Sequence, residues 1–138
     1  MISRQKGFTR IDKLADVLPG DIIAMKSPPR DPGGTGHVML VDARPAQRET
    51  DTAPLIEGTR QWEVEVIDSS KSPHGRSDTR HNEDGGKRTG LGRGTFRLYA
   101  DSSGTLVGYA WSVERASKFF GPRDKPIAID RIVAGNSP

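Results

Sequence analysis

The chain has 138 residues, one domain's worth, with 33% hydrophobic residues, 16 Gly and 10 Pro. That mix suits a β-rich domain with long loops around a modest core better than a helical bundle. The formal charge is only +3 and there is no cysteine, so the chain holds no disulfide, no thiolate metal site and no thiol nucleophile. No apolar run approaches the roughly 20 residues of a membrane span, and the first ten residues are too polar for a signal peptide.

In chain order, residues 1–10 (MISRQKGFTR) read as a loose polar segment and 11–138 as a single domain. A helical turn is expected over 11–17, where Ile11, Leu14 and Ala15 share a side, stopped by Pro19-Gly20. Strands are expected over 21–25 and 36–42, separated by the Pro/Gly-rich SPPRDPGGT loop. After a polar excursion come strands over 61–68, 94–100, 105–111 and 127–133, with a short helix over 113–119. Six strands without βαβ alternation predict a mainly β (α+β) fold: a small antiparallel barrel or strongly bent sheet with one or two short helices.

The chemistry concentrates on His37 and Asp68. In the second expected strand His37, Met39 and Val41 share a face, and in the third Trp62, Val64, Val66 and Asp68 do. Matching the apolar faces antiparallel sets Met39 opposite Val66, Val41 opposite Val64 and His37 opposite Asp68. Opposed Cβ atoms lie about 4.5–5.5 Å apart, close enough for an imidazole–carboxylate hydrogen bond. Such a carboxylate fixes the ring's tautomer and supports imidazolium. The bland alternative is a strand-end histidine and a turn-opening aspartate.

The runs Leu18-Pro19-Gly20-Asp21-Ile22-Ile23, Gly36-His37-Val38-Met39-Leu40-Val41 and Val66-Ile67-Asp68-Ser69-Ser70 resemble the NlpC-type papain-like cysteine peptidases and amidases. The closing stretch 126–133 is similar to the last barrel strand of those domains. The resemblance covers the β half of the family domain. It implies His37 as general base, Asp68 as the orienting third member, and a peptide or amide bond, cell-wall peptide among them, as substrate. It also implies a bacterial setting in the cell envelope or secreted. The family's nucleophilic cysteine, at the start of a helix upstream, has no counterpart among the 36 residues before His37; Ser3 and Thr9 are poor substitutes. The chain is therefore expected to be part of a thiol hydrolase, inert by itself. The alternative is a non-catalytic binding module using the cleft or the basic loop.

Other features read as structural. The stretch 71–97 carries seven Lys/Arg against three Asp/Glu, the mark of a solvated loop more than of a polyanion site. The 69–90 loop offers little to bury and is expected to be flexible. Within it His74, Asp78 and His81 have ligand-like spacing, and with His37 or Asp68 could make a zinc-type site; no HExxH or CxxC pattern accompanies them, and neither metal nor cofactor is expected. The GLGRGT run (90–95) precedes a strand and lacks the Lys-Ser/Thr of a P-loop, so it reads as a bend or bulge. Trp62, Phe96, Tyr99, Tyr109 and Trp111 read as core residues, with an exposed Tyr109–Trp111 stacking pair, and hence nucleic-acid binding, as a lesser reading. Loss of a covering half would bare the Met39, Val41, Val64 and Val66 face and favour self-association.

Overall fold

The computed structural model describes residues 7–27 and 36–134. Nine strands form one antiparallel sheet: β1 (Phe8–Arg10), β2 (Ile22–Met25), β3 (His37–Val41), β4 (Ala46–Gln47), β5 (Arg60–Ser70), β6 (Gly90–Ala100), β7 (Leu106–Ala110), β8 (Phe119–Phe120) and β9 (Ile127–Ile132). Their spatial order is β1-β9-β2-β3-β5-β6-β7-β8, with β4 pairing β5. The strand path is open at β1 and β8, so the sheet is bent rather than closed into a barrel. Its ends still approach one another. Lys13, beyond β1, bridges Thr105 just before β7, and Leu106 N donates to Asp12 O at 3.0 Å. The only helical element among the described residues is a 3-10 turn, Leu14–Asp16, which sinks Leu14 into the core. None is long and apolar enough to cross a membrane.

All six expected strands form, each with bounds close to those read from the alternation. Three short ones, β1, β4 and β8, arise where none was expected. The segment 1–10 is not loose throughout: Phe8–Arg10 pair with β9, helped by Arg10 Nε donating to Asp130 at 3.3 Å. The expected helix over 113–119 does not form. Buried Arg97 takes the carbonyls of Ser112 and Glu114 at 3.0 and 2.9 Å, and Ser112 Oγ takes Glu114 N and Ser117 Oγ. Backbone groups a helix would use internally are thus held from outside, and Phe119–Phe120 become β8. The SPPRDPGGT loop beyond Ser27 and residues 1–6 lie outside the described residues.

The inward face of the bent sheet carries Ile23, Met39, Val41, Val64, Val66, Phe96, Leu98 and Ile129, all essentially without exposure. Each contributes about 1.5–3 kcal/mol by leaving water. The Met39, Val41, Val64 and Val66 face is therefore covered within this chain, and the expectation that it lies bare is corrected: the bent sheet gathers it into one core cluster with Leu14, Ile23, Phe96, Leu98 and Ile129. Apolar exposure on these strands is on the opposite face instead, at Val38 (59%) and Leu40 (43%).

The β3–β5 register is also corrected. Leu40 pairs with Ile67 and Val41 with Val66, two residues on from the expected match. A slip of two leaves every side chain on its own face, so His37 and Asp68 remain inward, as diagonal neighbours rather than a directly opposed pair.

The PGD turn is structural in this chain. Gly20 has φ +94°, a left-handed conformation that suits glycine. Buried Asp21 accepts Leu18 N at 2.8 Å and both Arg131 Nε and Nη2 at 2.8 and 3.0 Å, which ties the start of β2 to β9. Burial pushes the Asp21 carboxyl upward, but the hydrogen bonds from Arg131 and Leu18 outweigh it and its pKa falls below the ordinary value.

Candidate functional site

Asp68 is the hub. It follows Val64 and Val66 on the inward face of β5 and pairs across the sheet with Gly92 of β6. His37 Nε2 lies 2.6 Å from Asp68 Oδ2, the contact anticipated from the shared apolar face. Gly36 delivers His37 by a left-handed bend (φ +121°) packed against the Met25 carbonyl, where any Cβ would collide.

A second histidine shares the same oxygen. His74 Nε2 is 2.8 Å from Asp68 Oδ2, and its Nδ1 is 2.8 Å from the Trp111 carbonyl. That carbonyl accepts only, so Nδ1 carries hydrogen. With Asp68 ionised, His74 donates from both nitrogens. The other Asp68 oxygen, Oδ1, accepts Arg80 Nη2, which also donates to Asp68 O at 2.7 Å. Arg80 Nη1 reaches Asp78 Oδ2 at 2.8 Å and its Nε reaches Gly90 O at 2.9 Å. Burial alone would raise the Asp68 carboxyl, but donation from His37, His74 and Arg80 wins and holds it well below the usual carboxylate range.

The loop after β5 buries more than the little expected of it. It buries His74, Asp78 and Arg80 completely or nearly so, and Asp78 organises it by accepting His74 N at 2.7 Å and Arg80 N at 2.8 Å. The loop can lie on the sheet because β6 presents Gly92 and Gly94 there. A Cβ at Gly92 would come within 2.6 Å of the Arg80 guanidinium, and one at Gly94 within 2.7 Å of His74 Cβ. The GLGRGT run is accordingly neither a bend nor a phosphate cradle; β6 is regular through it, and its irregularity falls at Tyr99/Ala100. Glycine at every second position of a strand marks a face on which something must sit close, a signal present in the sequence.

Trp111 covers both rings, 4.1 Å from His74 and 5.2 Å from His37 between centroids. Tyr109 is buried between Phe96 and Phe120, and that burial pushes its hydroxyl pKa up to about 12. No exposed Tyr109–Trp111 stacking pair exists. His37 is the least enclosed member, its side chain 24% exposed. It borders a cleft of about 110 Å³ with Lys26, Ser27, Trp111 and Lys125.

Of the loop residues with ligand-like spacing, His74 joins His37 and Asp68; the other two do not. Asp78 is occupied by Arg80, and exposed His81 donates to Gly75 O at 2.8 Å. The basic run is likewise largely spoken for: Arg80 and Arg97 are buried, Arg93 faces Asp42 at 3.1 Å and Arg76 faces Glu114 at 3.9 Å. Thr9 is exposed on β1 across from Arg131, and Ser3 lies outside the described residues.

No family model and no solved structure matches the chain. It is similar to the uncharacterized protein R653 of Acanthamoeba polyphaga mimivirus, 36% identical over 137 residues and 95% of this chain. The chain spans 60% of that relative's length.

Proposed function

We propose that this chain supplies the general base and its orienting acid to a papain-like thiol hydrolase that cuts peptide or amide bonds, cell-wall peptide among them. The observation that carries the reading is the 2.6 Å contact of His37 Nε2 with Asp68 Oδ2 in a ring that borders an open cleft. With the Nε2 hydrogen given to Asp68, the lone pair sits on Nδ1, and no described residue hydrogen-bonds that atom. A nucleophile's proton would be taken there and passed to the leaving amine. Asp68 orients the ring, while Arg80 and His74 keep the carboxylate ionised and fixed.

The 138 residues contain no cysteine, so in this reading the thiol comes from sequence outside them. The mimivirus relative extends beyond the matched region. The test compares this chain with a longer translation product that carries a cysteine-bearing segment, assayed on peptide and cell-wall amides. The chain alone is expected to be inert and the longer product active, with His37→Ala lowering kcat by at least about 10³-fold. Turnover by the 138-residue chain that disappears in His37→Ala would overturn the thiol mechanism. A cysteine-bearing product without turnover would reduce the cleft to a binding site.

A further inference from the structure

We propose that His37 Nε2, Asp68 Oδ2 and His74 Nε2 form a binding site for one divalent transition-metal ion of the zinc class. Two imidazole nitrogens from different elements, β3 and the loop after β5, converge on one carboxylate oxygen at 2.6 and 2.8 Å. All three ligand atoms lie within 4.8 Å of one another. Two neutral imidazoles and a carboxylate are a donor set that zinc accepts, with a fourth position left for water or substrate. Calcium and magnesium, which favour all-oxygen surroundings, fit it poorly.

The surroundings are those of a built site. His74 Nδ1–H donates to the Trp111 carbonyl, which fixes the ring so that Nε2, on losing its hydrogen to solvent, turns its lone pair to a metal. Arg80 fixes Asp68 Oδ1, and Asp78 balances the Arg80 charge. The buried set Asp68, Asp78 and Arg80 therefore keeps one negative charge for the ion. His37 at the cleft gives an entry path and the open coordination position. Ligands about 2.0 Å from a tetrahedral zinc stand roughly 3.3 Å apart, so the two rings draw back by about half an ångström as the ion replaces the hydrogens between them.

The site does not rest on the thiol-hydrolase reading. An ion here takes His37 Nε2 from Asp68, so the metal-loaded chain cannot use His37 as the oriented base.

The test is titration of the untagged 138-residue chain with Co²⁺ and then Zn²⁺. One equivalent of Co²⁺ is expected to bind with the visible bands of a low-coordinate ion, and Zn²⁺ to displace it. His37→Ala removes a partly exposed ligand, leaves the buried network in place, and is expected to weaken binding at least about tenfold. His81→Ala, a loop histidine outside the site, is expected to change nothing. His74→Gln gives a second check where its circular dichroism matches wild type. No stoichiometric Co²⁺ binding, wild-type affinity in His37→Ala, or loss of binding in His81→Ala would each overturn the site.

Discussion

Arg80 lies directly over Gly92: the guanidinium fills the space that a side chain at 92 would take, 2.6 Å from an ideal Cβ. Gly92 is also the residue paired with Asp68 across the sheet, so one missing side chain admits the cation that holds the hub carboxylate. Arg80 is clamped at Asp68, Asp78 and Gly90 and cannot yield cheaply. Gly92→Ala is expected to destabilise the fold by about 1–3 kcal/mol, the usual range for overpacking. Urea unfolding measures this. An unchanged midpoint would show that Arg80 moves aside freely.

Removing the cation is worse than crowding it. Arg80→Met leaves Asp68 and Asp78 buried with no guanidinium between them, and breaking a buried pair from one side costs about 3–5 kcal/mol. Part of that loss is expected to return in the Arg80→Met, Asp78→Asn double variant, because one of the stranded charges is then gone. A double variant no more stable than the single one would place the cost in lost packing instead of charge.

Acid sensitivity follows from two carboxylates. Asp68 and Asp21 have native pKa values below their ordinary 3.8. Their contribution is fully present above that ordinary value and is lost as pH falls through the lowered native ones, because the unfolded chain binds protons first. Asp21 faces the partly exposed Arg131, so its share is the smaller after solvent screening. Stability measured by urea unfolding is expected to decline below about pH 4. The decline should be shallower in Asp68→Asn, which starts from a lower plateau. An equally steep acid limb in that variant would assign it to other groups.

Gly36→Ala tests the delivery of His37. At φ +121° with the Met25 carbonyl oxygen where a Cβ would sit, position 36 has no room for a side chain in either conformation or space. The substitution is expected to cost about 1–3 kcal/mol and to move the His37 ring off Asp68. The imidazole resonances in a ¹H–¹⁵N spectrum report this directly. A His37 signal identical to wild type would show that β3 tolerates the added methyl.

The sequence by itself determined which residues form the main strands and which face each presents. Alternation in His37–Val41 and in Trp62–Asp68 is a local property, since period two places a side chain inward or outward whatever the strand pairs with. That was sufficient to bring His37 and Asp68 together on the core side. It was insufficient to set the register, because a slip of two residues preserves every face; packing along the whole strand chose Val41–Val66. The short strands β1 and β8 and the absence of a helix before β8 depended on distant partners, Asp130 and Arg97, which no local window contains.

Only the tertiary structure decided what the loop after β5 does. Its polar composition describes a solvated segment, and polar residues are buried only when every charge and hydrogen bond finds a partner. For His74, Asp78 and Arg80 those partners are Asp68, the Trp111 and Gly90 carbonyls and one another, and Gly92 and Gly94 on β6 leave the room for them. The second histidine on Asp68 therefore depends on long-range geometry, whereas the first was already fixed by the alternation of two strands.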